Sequence, residues 1–311
     1  MEKVMVIIGP TAVGKTTLSF ALAEHYGTDL ISGDAYQIYR HMDIGTAKPT
    51  ADELARYHHY LIDIAEPDEP YSAARFCDMA GKAIAEVNGK GKVPIVVGGT
   101  GLYVQSLLEG YDFQTARMTE ADKEAAQARI ASLDEGALKD YIVRETDWQP
   151  PDWHELLSNT HRLTRLVSAI EQGEGKTFVS AGKAHGLVSD AYVIGLRLPR
   201  DVLYARIEER VDAMIAAGWV DEVRHLLDRG IPTDCQAMKA IGYQELALYI
   251  QGQLPLDDAV ARIKTRTRRF AKRQLTWFKR MPYIHWYDKD QYDGEEALIQ
   301  AVLRDLPLYS L

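Results

Sequence analysis

The octapeptide Gly9-Pro10-Thr11-Ala12-Val13-Gly14-Lys15-Thr16 stands between the apolar run Val4-Met5-Val6-Ile7-Ile8 and the helical pattern TTLSFALAEHY, and this order constrains the fold more than any other feature. A GxxxxGK[ST] turn binds phosphate only when a strand feeds it and a helix leaves it, because backbone N–H groups and a helix N-terminus must converge on one anion. Residues 4–8 are continuous, apolar and rich in β-branching, as expected for a strand covered on both faces. A chance glycine-rich turn would lack these flanks. Within the turn, Lys15 is placed to neutralise a terminal phosphate and the Thr16 hydroxyl suits Mg²⁺.

Further along, residues 29–32 (DLIS), 93–99 (VPIVVGG) and 191–198 (AYVIGLRL) read as strands, and AARFCDMAGKAIAEVNGKG reads as a helix with a glycine stop. Strands alternating with helices of this length predict an α/β fold: a P-loop NTPase-like parallel sheet flanked by helices. The pattern changes after Phe113. Residues 119–146 are rich in Ala, Glu, Asp, Lys, Arg and Leu, and WQPPDW breaks them, so a helical insertion domain is expected over 114–190. The core would then comprise 1–113 and 191–311. Within it, DVLYARIEERVDAMIAAG predicts a helix closed by Gly218, and the chain to about 280 reads as helical and basic.

A chain of 311 residues suggests about two domains. A net charge of −9 speaks against a nucleic-acid partner, but the average hides a local excess: Arg262–Arg280 holds nine basic residues and no acidic one. No stretch approaches the roughly 18 apolar residues of a membrane span, so a cytoplasmic location without membrane association is expected. Cys77 and Cys235 lack the spacing of a zinc site or a disulfide framework and read as two buried thiols.

Phosphate binding leaves the chemistry open. Motor and switch NTPases end a strand in an Asp that holds the metal, whereas the 93–99 strand ends in Gly98-Gly99-Thr100-Gly101. Residues at the C-terminal ends of such strands line the ligand crevice, which puts Asp34 and Thr100 there. A carboxylate after the second strand and glycines after the next suit a group-transfer enzyme in which Asp34 accepts a proton from the acceptor.

The residues that decide more are Ile31-Ser32-Gly33-Asp34, Gln37-Ile38-Tyr39-Arg40, Met42-Asp43-Ile44-Gly45-Thr46-Ala47-Lys48-Pro49 and His58-His59-Tyr60-Leu61-Ile62-Asp63. With them go Gly98 to Tyr103, the helix from Arg206 to Arg210, Ile241-Gly242-Tyr243-Gln244-Glu245, and Ala271-Lys272-Arg273-Gln274-Leu275-Thr276-Trp277-Phe278. Over nearly its whole length the chain resembles the tRNA dimethylallyltransferases. The resemblance implies that residues 9–16 hold the diphosphate of dimethylallyl diphosphate. It further implies that the acceptor is the exocyclic amine of the adenosine 3′ of the anticodon in tRNA. Asp34 would take the amine proton, while Thr100, Arg210, Lys15 and Mg²⁺ on Thr16 would stabilise the departing pyrophosphate; Arg206, one turn before Arg210, is a candidate to share that task. Contacts to the anticodon stem-loop are implied for Asp34, Ala35, Tyr36 and Gln37, for Gln127, for Asn159, Thr160, His161, Arg162 and Leu163, and for Arg268, Arg269, Lys272 and Arg273. A monomer is expected. The chain departs from the family pattern at Ala35, where Ser is usual, at Gln127, where Arg is usual, and across His161 to Ser168.

Two other readings compete. Prenyl transfer to free AMP, ADP or ATP needs neither the helical insertion nor the basic stretch, and a P-loop small-molecule kinase would bind ATP instead. His58 and His59, being adjacent, point apart and are expected to be structural. Trp277, Phe278, Tyr283, Trp286 and Tyr287 are expected to serve core packing rather than base stacking.

Overall fold

The structure is a computed structural model that describes residues 2–111, 118–181 and 187–306. In chain order the first part runs β1 (Lys3–Ile8), α1 (Lys15–Tyr26), β2 (Leu30–Ser32), α2 (Ala51–Arg56), β3 (His59–Tyr60), α3 (Ala73–Gly89), β4 (Ile95–Gly98) and α4 (Gly101–Glu109). Five helices follow: α5 (Glu120–Ala131), α6 (Glu135–Thr146), α7 (Trp153–Ser158), α8 (Thr160–Glu171) and α9 (Gly175–Ala181). The chain then returns through β5 (Asp190–Arg197), α10 (Arg200–Ala216), α11 (Trp219–Asp228), α12 (Tyr243–Ile250), α13 (Leu256–Phe278), β6 (Ile284–Asp288) and α14 (Gly294–Asp305).

Six strands form one parallel sheet in the order β3-β2-β4-β1-β5-β6. β1 lies near its centre, and its alternating side chains feed two cores. Val4, Val6 and Ile8 pack on one face with Tyr39, Phe76 and Phe278. Met5 and Ile7 pack on the other with Leu18, Leu22 and Leu203. Burial on both faces is what a continuous apolar strand requires. Two strands lie outside the sequence expectation. β3 has only two residues, too few for any periodicity, and β6 is an aromatic edge strand whose Tyr287 is buried while His285 is exposed. Gly218 closes α10 as expected: it follows the C-cap Ala217 with φ of 100°, the left-handed conformation of a helix-terminating glycine, its N–H donates to Ile215 O (3.1 Å), and it also caps the start of α11.

The chain divides into two compact units, Met1–Leu108 with Leu187–Leu311, and Glu109–Gly186. The second is all helix among its described residues. Its own core joins Ala126, Leu138, Tyr141, Ile142, Leu156, Leu166, Val167 and Ile170. The WQPPDW break falls between α6 and α7, where the Asp152 side chain caps α7 by accepting from Glu155 N (3.1 Å). Among the described residues no helix is long and apolar enough to cross a membrane.

Candidate active site

Parallel register brings three loops to the same edge of the sheet. Ile8 is paired with Gly98 and Ser32 with Val97, so the chain leaves β1, β2 and β4 side by side at Gly9, Gly33 and Gly99. The packing there admits no side chain, since a Cβ on Gly98 would lie 2.3 Å from Gly33 O. The loop after β1 is curled by Gly9 (φ 150°), Ala12 (φ 64°) and Gly14 (φ 96°). This curl turns backbone N–H groups inward at the start of α1. Lys15 Nζ donates to the carbonyls of Gly9 (3.1 Å) and Pro10 (2.9 Å). Burial, reinforced by the nearby Arg210 charge, lowers its pKa to about 8 against the opposing pull of Asp34. Thr16, at the first turn, is exposed.

The loop after β2 holds Asp34. Its Oδ1 accepts from Tyr36 N (2.8 Å) and Gln37 N (3.3 Å), and Oδ2 accepts no hydrogen bond from the described residues. Burial raises the Asp34 pKa above the usual carboxylate range, while those two N–H groups, Lys15 and Arg210 pull it back. A carboxylate with one oxygen anchored, the other open and a raised affinity for protons is suited to general-base work. Thr100 Oγ1 accepts from Ala35 N (3.1 Å), which leaves its own proton to donate elsewhere. Arg210 has no ion-pair partner among the described residues; burial lowers its pKa and the Asp34 charge offsets part of that.

Thr11, Ala12, Asp34, Thr100 and Arg210 line one cavity of about 590 Å³. Its other walls are largely apolar, with Leu102, Val211, Met214, Trp219, Phe270 and Trp277 among them. The cavity therefore offers a phosphate-binding loop, a base, a hydroxyl donor and a cation beside a pocket for hydrocarbon or a flat ring. Among the described residues there is no group of three or more His, Cys, Asp or Glu side chains able to hold a metal ion. His59 Nδ1 meets Tyr57 O at 2.6 Å and His58 lies edge-on to Tyr60, as structural residues would.

A profile of the family described as IPP transferase matches residues 37–281. The chain belongs to the IPP transferase family. Among curated relatives, the tRNA dimethylallyltransferase of Geobacillus kaustophilus (strain HTA426) is 42% identical over 307 residues, covering 97% of this chain and 96% of that one. The corresponding protein of Symbiobacterium thermophilum is 44% identical over 307 residues, covering 96% and 93%. Among solved structures, the full-length tRNA isopentenylpyrophosphate transferase of Bacillus halodurans superposes with a TM-score of 0.72 at 38% identity, covering 98% of this chain and 95% of that one. A eukaryotic dimethylallyltransferase acting on tRNA superposes with a TM-score of 0.78 at 25% identity, covering 97% and 78%.

For this IPP transferase the expected residues divide into several groups. Asp34, Ala35, Tyr36, Thr100, Arg210 and Arg273 line the cavity, but Arg206 is exposed and does not. Gln37 is spent internally, its Nε2 donating to Thr46 O (3.2 Å) and Ala47 O (3.1 Å) and its Oε1 accepting from Ser32 Oγ (2.9 Å). In the basic stretch Arg269, Lys272 and Arg273 are exposed, whereas Arg268 pairs with Glu208 and lies over the Tyr204 ring. In the helical unit Gln127, Asn159, Thr160, His161 and Arg162 are exposed. Leu163 is 4% exposed and belongs to that unit's core, so its side chain, expected at RNA, packs inward instead. Of the five aromatics, Phe278 and Tyr287 are in the core and Trp277 lines the cavity.

Three residues carried no expected role yet build the site. Glu222 Oε2 accepts from Asp43 N (2.7 Å) and Ile44 N (2.6 Å), and its Oε1 from Gly45 N (3.1 Å) and Tyr243 Oη (2.7 Å), fixing the DIGTAKP loop. Trp219 packs so closely that a Cβ on Gly45 would lie 2.1 Å from its indole nitrogen. Lys48, inside the same loop, donates to Tyr39 O (2.5 Å) and pairs with Asp43 (2.7 Å) and Asp63. Partners up to 179 positions apart in sequence leave no local pattern from which these contacts could be read.

Proposed function

We propose that this chain transfers the dimethylallyl group of dimethylallyl diphosphate to N6 of the adenosine 3′ of the anticodon in tRNA and releases pyrophosphate. The observation that carries the reading is the meeting of Asp34, Thr100, Arg210 and the phosphate loop in one cavity whose remaining walls are largely apolar. The names of the relatives agree with it.

Dimethylallyl diphosphate lies with its diphosphate against residues 9–16 and its hydrocarbon against the apolar wall. The bond between the allylic carbon and the bridging oxygen breaks, and its electron pair stays on pyrophosphate. The N6 lone pair forms the new bond to carbon, and the N6 proton passes to Asp34 Oδ2. Thr100 donates its hydroxyl proton in a hydrogen bond to the bridging oxygen, while Lys15 and Arg210 hold the growing negative charge where water is scarce. Because an allylic carbon tolerates positive charge, support of the leaving group governs the rate.

Mg²⁺ fits this site as a substrate-borne ion. A lone exposed Thr16 hydroxyl at the helix start suits an ion that would keep waters and take most of its neutralising negative charge from substrate phosphates. When bound, the ion neutralises diphosphate charge. Asp34, Ala35 and Tyr36, Gln127, Asn159 to Arg162 and Arg269, Lys272 and Arg273 would meet the RNA, whose target base must leave its stack to enter the cavity.

Incubation with radiolabelled dimethylallyl diphosphate and unmodified tRNA or AMP, and in parallel with ATP as donor, tests the reading. Label in RNA alone is expected. Label in AMP, or transfer only from ATP, overturns it.

A further inference from the structure

α13 carries the basic stretch, yet one of its residues is neutral, buried and turned toward the phosphate loop. Gln274 is 5% exposed. Its Oε1 accepts from Thr11 N (3.0 Å), and its Nε2 donates to Gly99 O (2.8 Å). The two partners fix the amide's orientation, because a backbone N–H can only donate and a carbonyl can only accept. The fit is close enough that a Cβ on Gly99 would stand 2.3 Å from Nε2. Thr11 opens the phosphate loop and Gly99 precedes Thr100, so a single side-chain amide spans the binder of the diphosphate and the donor to its bridging oxygen.

We propose that Gln274 is a positioning residue for prenyl transfer, setting the separation between the phosphate loop and the Thr100 hydroxyl through these two hydrogen bonds. Gln274 also borders the cavity, but in this role it acts through the two loops and not on substrate. Displacing a catalytic donor by about 1 Å can cost on the order of a hundredfold in rate, and no other described side chain joins these two loops by hydrogen bonds on both sides. The inference rests on the prenyl-transfer reading for its kinetic consequence, but its binding consequence is independent of turnover.

Gln274→Glu and Gln274→Met separate the two bonds. Glutamate keeps the acceptor for Thr11 N and sets a carboxylate oxygen against Gly99 O; methionine removes both bonds at similar volume. Gln274→Glu is expected to lower kcat about 10- to 100-fold, with KM for tRNA within twofold of wild type. Its activity relative to wild type should rise as pH falls, because the protonated carboxyl regains a donor for Gly99 O. Gln274→Met should lower kcat at every pH and weaken the binding of inorganic pyrophosphate, measured by calorimetry. Wild-type kcat in both variants overturns the proposal. So does a loss that tracks melting temperature, falls equally on KM for both substrates and ignores pH. Should the wild-type protein transfer no prenyl group while Gln274→Met still binds pyrophosphate more weakly, the function reading fails and the clamp stands.

Discussion

The two walls of the cavity are built by different means. The leaving-group wall is mostly local: Gly9 to Thr16 fold on their own glycines and helix start, Lys15 is held by carbonyls five and six residues before it, and Gln274 reaches the loop from afar through Thr11 N. The acceptor wall is assembled from afar. Gln37 ties the Asp34 loop to Thr46 and Ala47, and Glu222 on α11 then gathers three backbone N–H groups of the same DIGTAKP segment. The contrast suggests that the chemistry is anchored in a rigid phosphate loop, while the shape offered to the acceptor depends on tertiary contacts. Changes to the reacting groups on either wall should alter turnover, and changes to the distant contacts that shape the second should alter recognition.

The largest effects should come from the reacting groups. Asp34→Asn retains an acceptor for Tyr36 N but loses the base, and Thr100→Ala loses the donor to the bridging oxygen. Each is expected to lower kcat by about a hundredfold or more, with tRNA affinity in filter binding nearly unchanged. An equal fall in affinity would erase the distinction between the walls. Next in size is the response to pH. Lys15, lowered to about 8, loses its charge as pH rises past that value. In the free enzyme kcat/KM for dimethylallyl diphosphate should therefore fall about tenfold per pH unit above it. Bound diphosphate holds the proton on Lys15, so kcat should stay level further into the basic range. On the acid side, activity should decline as Asp34 takes up a proton, at a pH above the ordinary carboxylate range. A kcat/KM profile flat from pH 8 to 10 would remove Lys15 from the diphosphate site.

A smaller effect probes the acceptor wall alone. Glu222→Gln removes the charge that gathers Asp43, Ile44 and Gly45 and turns an amide N–H either toward the N–H groups of Asp43 and Ile44 or toward Gly45 N and the Tyr243 hydroxyl. Each hydrogen bond to a charged group is worth about 1.5 to 3 kcal/mol, but the amide oxygen of glutamine keeps one pair of donors and structural relaxation recovers part of the rest. KM for tRNA is expected to rise several-fold while kcat holds within about twofold. A fall in kcat with unchanged KM would show that the DIGTAKP segment serves the chemistry instead.

This difference between the walls also explains what the sequence made legible. The phosphate loop, β1, β2, β4 and β5 could be read because the strand-turn-helix order and continuous apolar runs are local signals. Asp34 and Thr100 followed from the rule that strand ends line the crevice. Gln274 and Glu222 could not be read in the same way. Each is one polar residue in an amphipathic helix, and its meaning appears only when a partner 175 or 179 residues away folds against it. The surroundings of Arg206 and Arg268 were not legible for a related reason: charge in sequence does not reveal which helical face is outward or which acid is opposite. Arg268 meets Glu208 on α10, and no spacing rule on α13 announces that pairing.

The smallest expected effect follows from that last point. If exposed cations of α13 meet RNA phosphate, each one removed should cost one released counterion and reduce the salt slope of binding by about 0.7 to 0.9. Arg269, Lys272 and Arg273 are exposed, so Arg269→Gln and Lys272→Gln should each lower the slope by that amount and weaken binding a few-fold. Arg268 is already neutralised by Glu208, and Arg268→Gln should leave the slope nearly unaltered, although stability could fall modestly as Glu208 loses its partner. The comparison is internal, since the tested residues share one helix within a span of five positions. Equal slope changes at 268 and 269 would mean that the Arg268–Glu208 pair opens when RNA binds, and unaltered slopes at 269 and 272 would take this face of α13 out of the RNA interface.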